Sequence, residues 1–243
     1  MLKHQRILSI IPARGGSVGL PRKNLREIHG VSLVGWAVKF GNLINQIDVV
    51  AVSSDSEEIL TASRSQGGHC LNILRPEHLS GPRISDAEVL RHALEFTEKE
   101  LKEKFEIIVM LQPTSPLRQI DEVNDCINKV RDGASAAWTI SEVDLKHHFR
   151  KQLMITPVGN LEHAVVGEVV IARQELHPTY IRNGACYAVS RDTLMNDSAL
   201  LGPNCGVVIS KGIRPNIDTL EDFEEARQYS IVENGYLKSS REG

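Results

Sequence analysis

The chain has 243 residues, 41% of them hydrophobic and 24% charged, with a net charge of −3. That mixture excludes a disordered tract and is enough to bury a sizeable core, at a length that suits one α/β domain with an appendage. So weak a net charge exerts no general pull on nucleic acid or an anionic membrane, and any anion site has to be local.

Ile7 to Ile11 (ILSII) predicts a buried strand, and Ser32 to Leu43 carries apolar residues at helical spacing before Val49 to Asp55 (VVAVSSD) returns to strand. Asp55 or Ser56 then caps a helix that runs through Arg64, with Glu57 and Glu58 well placed in its first turn. Ser85 to Lys104 reads as a long helix, Glu106 to Leu111 as a central strand, Ile120 to Arg131 as another helix, and ASAAWTI as the strand after it. This βαβ alternation predicts a doubly wound, mostly parallel sheet between helices, with ligands gathered at the carboxyl edge of the strands. From Ser141 to Tyr180 the rhythm gives way to prolines, glycines and short β-branched runs such as LMITPV and EVVIA. Residues 141–180 are therefore expected to form an arm inserted in a core built from 1–140 and 181–243. Asn183 to Ser190 and Cys205 to Ser210 resume the core as strands. A helix is expected over Thr219 to Val232, capped by Asp218 or Thr219, and the polar tail from Glu233 is expected to fray.

Cys70, Cys126, Cys186 and Cys205 show no paired spacing, which predicts reduced core residues of a cytoplasmic protein. No apolar run is long enough to cross a membrane, and the amino-terminal one is too short for a signal peptide. His147 and His148 lack metal-ligand spacing and are expected on a solvated arm.

The local anion site is expected near the amino terminus. Lys3, Arg6, Arg14, Arg22, Lys23 and Arg26 all precede Glu27, the first acidic residue. Within this segment RGGSVGLPRKN (Arg14 to Asn24) follows the first strand, so that Gly15, Gly16 and Gly19 can turn backbone amides toward an anion while Arg14, Arg22 and Lys23 supply charge. It matches neither GxxxxGK[ST] nor GxGxxG, and a plain βα turn with solvated charges has the same composition.

RGGSVGLPRKN, NILRP (Asn72 to Pro76), LQPTSPLR (Leu111 to Arg118), Arg173-Gln174, NGA (Asn183 to Ala185) and IDTLED (Ile217 to Asp222), in that order, resemble the motifs of the acylneuraminate cytidylyltransferases. The resemblance implies a cytoplasmic nucleotidyltransferase that joins CTP to a nonulosonic, sialic acid-like keto sugar acid with release of pyrophosphate. It implies Lys23 and Arg14 as catalytic cations, and Gly15, Gly16, Ser17, Arg22, Asn24, Arg75 and Ser85 as further nucleotide contacts. Gln112, Ser115, Arg173, Gln174, Asn183 and Gly184 would meet the sugar, Arg118 would brace its loop, and Asp218 would hold Mg²⁺. The arm would exchange with a second subunit, making a homodimer that needs neither nucleic acid nor membrane.

Other readings of the same residues stay open: Arg75 as a surface arginine, Gln112 to Arg118 as a turn leading into a helix, Asp218 as a helix cap. Three departures from the family pattern stand out, namely Val18 for a lysine, Pro82 for an aspartate and Asn216 for the first of two aspartates. They leave open substitution of Arg22 for the missing lysine from across the loop, activation of KDO or another keto sugar acid, another nucleotide, or a homologue that binds and no longer catalyses.

Overall fold

A computed structural model describes residues 5–17, 19–165, 176–196, 200–212 and 214–240. β1 (Ile7–Pro12) leads through the glycine-rich loop to a small hairpin, β2 (Glu27–Ile28) and β3 (Val31–Ser32), and then to α1 (Leu33–Leu43). β4 (Val49–Ser54), α2 (Glu57–Ala62), β5 (Leu71–Leu74), α3 (Asp86–Leu101), β6 (Ile107–Met110), α4 (Ile120–Arg131) and β7 (Ala136–Glu142) continue the alternation. After β7 come the hairpin β8 (Leu153–Ile155) and β9 (Leu161–His163), the long β10 (Tyr180–Ser190), α5 (Arg191–Asn196) and β11 (Cys205–Ile209). α6 (Leu220–Gln228) and a second hairpin, β12 (Ser230–Glu233) and β13 (Tyr236–Ser239), end the described chain.

Seven strands form one sheet in the order β11-β7-β10-β6-β1-β4-β5. Every neighbouring pair is parallel except those of β10, which runs antiparallel to both β6 and β7. Successive side chains of a strand point to opposite faces, and β1 divides its apolar residues accordingly. Ile7 and Ile11 pack with residues of α1, α2 and α4 on one face, whereas Leu8 and Ile10 pack with residues of α3 and α5 on the other. Each such fully buried side chain stabilises the fold by ~1.5–3 kcal/mol, which is why β6 reads as an unbroken apolar run and β1 as one interrupted by the buried Ser9 alone.

A third cluster joins Leu20, Leu33, Trp36, Leu117, Ile217 and Phe223. It ties the glycine-rich loop, the loop after β6 and the segment before α6 into one unit at the carboxyl edge of the sheet. The functional loops are thus held by apolar packing beneath them.

Three expectations are corrected. The final helix stops at Gln228, and residues 230–239 form a hairpin in place of a frayed tail, with Tyr236 and Leu237 buried. Asn234 and Gly235 adopt φ of 51° and 84° there, the left-handed pair that a tight hairpin turn requires, and the Tyr236 ring meets Phe40 edge-on at 5.4 Å. His148 is buried, its Nε2 beside the His177 carbonyl at 3.2 Å and its Nδ1 accepting from Arg150 N, so it fastens the base of the arm. The long helix ends at Leu101, because Lys102 turns left-handed with φ 55°. Of the arm, EVVIA lies outside the described residues, and the β8–β9 hairpin stands within its described part. The cysteines are free, with Cys126 and Cys186 buried as expected.

Candidate active site

The loop after β1 is shaped by hydrogen bonds to its neighbours. Ala13 N continues the β1–β4 pairing by donating to Ser53 O at 2.9 Å, and Gly15 N donates to Asp55 Oδ1 at 2.7 Å. Asn24 is buried and its Nδ2 donates to Arg14 O at 2.9 Å, closing the loop on itself. Arg22 takes a left-handed φ of 54° ahead of the short 3-10 turn Lys23–Leu25, and that backbone turn sends its side chain and that of Lys23 in different directions. Arg22 pairs with Glu58 of α2. Lys23 Nζ reaches the opposite way, donating to Ile217 O at 2.9 Å and Asp218 Oδ1 at 2.8 Å.

Between this loop, the loop after β6 and the start of α3 lies a cleft of about 460 Å³. Arg14, Ser17, Gly19, Lys23 and Asn24 border it on one side, Gln112, Pro113 and Thr114 on another, and Arg75, Asp86 and Asp218 complete the ring. Gly15, Gly16 and Arg22 stand outside that lining. Val18, Arg173 and Gln174 lie outside the described residues.

Arg75, 6% exposed, is no surface residue. Its Nε donates to Ser53 Oγ at 3.1 Å and its Nη2 to Ser53 O at 2.7 Å, which fixes the plane of the guanidinium at the cleft wall. Burial lowers its pKa from the ordinary arginine value, opposed by Asp55 and Asp86 and reinforced by Arg14. A guanidinium already short of hydration partners gains strongly from an acceptor with matching geometry.

The loop after β6 is braced from below. Arg118 is 1% exposed, donates from Nε to Ala185 O at 3.1 Å and from Nη2 to Gln112 O, and stacks over the Phe40 ring at 5.3 Å. Desolvation lowers its pKa to about 10. Ser115 is buried too and donates to Asn183 O at 2.8 Å. Asn183 sits where the β10–β7 register shifts between Arg182 and Tyr187. Its Nδ2 donates to Ser141 Oγ and Ser210 Oγ, while its Oδ1 accepts from Thr139 Oγ1 and Ala185 N. Ser115 and Asn183 are therefore spent on holding the bulge, and Gln112 and Thr114 face the cleft.

Ser85 caps α3 in a reciprocal box with Glu88, and it borders a second cavity of about 230 Å³ with Asp86, Arg182, Met110, Trp138 and Tyr187. Trp138 and Tyr187 meet edge-on at 4.9 Å, and Tyr187 Oη accepts from Gly184 N at 3.1 Å. Asp86 borders both cavities. The sequence reading passed over Asp86, Arg182 and Tyr187. Arg182 and Tyr187 lie five residues apart across the register shift of β10 and still border the same cavity, so strand alternation gave no signal for the pair.

Asp218 is an open carboxylate whose side chain is 73% exposed. Thr219, not Asp218, caps α6, in a reciprocal box with Asp222. Among the described residues no group of three metal-binding side chains exists, so a divalent cation here would rest on Asp218, water and ligand oxygens, a set that suits magnesium.

Residues 8–174 match the family described as Cytidylyltransferase. The N-acylneuraminate cytidylyltransferase of Escherichia coli O18:K1:H7 is 32% identical over 91% of this chain and 51% of its own length. A pseudaminic acid cytidylyltransferase of Campylobacter jejuni is 25% identical over 90% of this chain and 94% of its own. The CMP-N,N'-diacetyllegionaminic acid synthase of Legionella pneumophila is 24% identical over 94% and 97%. Among solved structures, a CMP:2-keto-3-deoxy-manno-octonic acid synthetase complexed with CTP superposes with a TM-score of 0.67 at 18% identity, covering 92% of this chain and 98% of that one. With the family matched across β1 to the arm and this sheet order behind the cleft, the chain belongs to the cytidylyltransferases.

Proposed function

We propose that this cytidylyltransferase joins CTP to a nonulosonic acid, and the observation that carries the proposal is the convergence of Arg14, Lys23 and Arg75 on one cleft opposite Gln112. Three cations around one cavity in a chain of net charge −3 fit a triphosphate. The anomeric hydroxyl oxygen would bond to the α-phosphorus and release its proton to solvent, while the bond to the bridging oxygen breaks and pyrophosphate leaves. Such in-line transfer is mostly positioning and charge stabilisation. Lys23 is the principal catalytic cation in this reading, since a lysine ~4 Å from developing charge contributes ~4 kcal/mol per unit charge at an effective dielectric near 20. Arg14, Ser17 and Arg75 border the same cleft, and in this reading Arg75 would read an edge of the base. Arg22, tied to Glu58, does not take over the place of a second lysine.

Mg²⁺, when bound at Asp218, would neutralise the leaving pyrophosphate, and Lys23 Nζ would give up its 2.8 Å contact to the ion. Gln112 and Gly184 would face the sugar from the loop after β6 and from β10, with Ser115 and Asn183 holding both in place. A homodimer is supported by the β8–β9 hairpin, where Leu153, Ile155, Val158 and Leu161 are exposed apolar residues on one short projection. A cytoplasmic site of action is supported by the four free cysteines.

The test is pyrophosphate release from CTP with sialic, legionaminic, pseudaminic and KDO acids. Turnover is expected with at least one nine-carbon acid, with Lys23→Ala slower by roughly 10²- to 10³-fold. Turnover with KDO alone would reassign the acceptor, and release with none would leave a binder that no longer catalyses.

A further inference from the structure

Asp218, which borders the cleft, sits on a short strap, residues 214–218. Three contacts tie the strap to the loop after β6 and to α4. Ile217 is fully buried and its N donates to Thr114 O at 2.8 Å. Asn216 Oδ1 lies 3.4 Å from Ser115 Oγ, so the amide that stands in place of a second carboxylate is turned toward the loop after β6. At the start of the strap, Arg214 reaches α4, with Nη2 donating to Glu122 Oε1 at 3.1 Å and Nε to Oε2 at 3.5 Å. The side chains of this pair are only 4% and 12% exposed.

A buried ion pair is a poor means of adding stability. The desolvation of both charges offsets most of their attraction, and a well-packed apolar pair of similar volume commonly serves as well or better. What a two-pronged pair supplies that methyl groups do not is a fixed register. The location of this one is informative. Glu122 lies in the first turn of α4, directly after the loop whose Arg118 is locked to Ala185 and Gln112. α4 itself is anchored in the core through Val123, Cys126 and Ile127. The strap thus takes its position from the same rigid element that ends the loop facing it.

We propose that Glu122 and Arg214 are positioning residues for cytidylyl transfer, acting through the strap to set Asp218 and, through the Ile217 carbonyl that Lys23 Nζ meets at 2.9 Å, Lys23 against the triphosphate. The inference rests on the cytidylyl-transfer reading. The decisive variant replaces both partners, Glu122→Met with Arg214→Met, since either single change deprives a buried charge of this counter-charge and destabilises for that reason. Thermal midpoint, kcat, KM and backbone amide exchange are then compared with wild type.

The double variant is expected to melt at or above the wild-type temperature and still to lose roughly ten- to hundredfold in kcat, the scale of a small misplacement of reacting groups. Amide exchange should rise together in 214–218 and 112–118, with Ile217 N–H most affected. Wild-type kcat with unchanged exchange would overturn the proposal and leave the pair a structural contact. Should the double variant be too unstable to isolate, Arg214→Lys carries the same comparison, keeping the charge and losing the fork. If wild-type protein releases pyrophosphate with no acid, the cytidylyl reading fails while the exchange measurement still decides whether the pair holds the strap.

Discussion

Gly19 and Asp218 meet backbone to backbone: a Cβ on Gly19 would stand 2.6 Å from the Asp218 carbonyl oxygen. The glycine is required there for space. A carbonyl oxygen cannot swing aside as the tip of a side chain can, so Gly19→Ala should push the cationic loop away from the strap and stretch the Lys23–Asp218 contact of 2.8 Å. We expect kcat/KM for CTP to fall by about 10²-fold, with little change in melting temperature because the clash lies at the rim of the fold. Steady-state kinetics beside a thermal melt will show it, and unchanged kcat/KM would mean that loop and strap move independently.

Gly184 is constrained twice. Its φ of 72° is a left-handed conformation, and a Cβ would lie 2.5 Å from both Gln112 Oε1 and Ser115 Oγ. Gly184→Ala should therefore carry ~1–2 kcal/mol of backbone strain and displace Gln112 from the cleft. The prediction is a raised KM for the sugar acid with KM for CTP nearly unchanged, read from initial rates with each substrate varied in turn. An equal rise in both would place Gly184 in general support of the fold.

What the sequence revealed follows from the range over which each feature is determined. β1, β4, α1 and α4 were legible because hydrophobic period and local caps settle them within a dozen residues. Ser115 and Asn183 were legible as belonging together near the site, but their mutual bond spans 68 residues, and no local pattern tells that the Ser115 hydroxyl is spent on the Asn183 carbonyl and the Asn183 amide on Ser141, Ser210 and Thr139. Arg22 shows the same limit: it sits beside Lys23 in sequence, and a single left-handed residue sends it to Glu58 and away from the cleft. The closing hairpin was legible in principle. Asn234-Gly235 is a strong turn signal, masked by the charged, helix-favouring run before it.

Arg118 supports the loop after β6 from inside the protein. Removing it leaves the Gln112 and Ala185 carbonyls without their guanidinium donor and opens space over Phe40. Hydrogen bonds from a charged donor to buried acceptors contribute ~1.5–3 kcal/mol each, so Arg118→Ala should destabilise the protein by ~3–5 kcal/mol. Arg118→Lys keeps the charge but loses the fork and should recover less than half of that loss. Urea denaturation of both variants gives the numbers. A loss below about 1 kcal/mol for the alanine variant would show that water replaces the guanidinium at no great cost.

Asp86 opens α3 on the border between the two cavities, facing Arg75 after β5 and Arg182 and Tyr187 on β10. Its carboxylate touches the water of the cleft, yet the surrounding walls remove much of its hydration. That desolvation raises its pKa above the ordinary aspartate value in spite of Arg182 and Arg75. The folded protein then holds the Asp86 proton to higher pH than the unfolded chain does, so the native state binds more protons in that window and stability falls as pH rises through it. Asp86→Asn cannot ionise and should lack this loss. Its stability should equal that of wild type near pH ~3 and below, where aspartate is largely neutral in both states, and exceed it at pH 7. A carboxylate in the first turn of a helix gains from the dipole, which works against this ordering. Urea midpoints at the two pH values therefore decide which effect is larger: a variant weaker than wild type at pH 7 would mean that the helix terminus outweighs the loss of hydration.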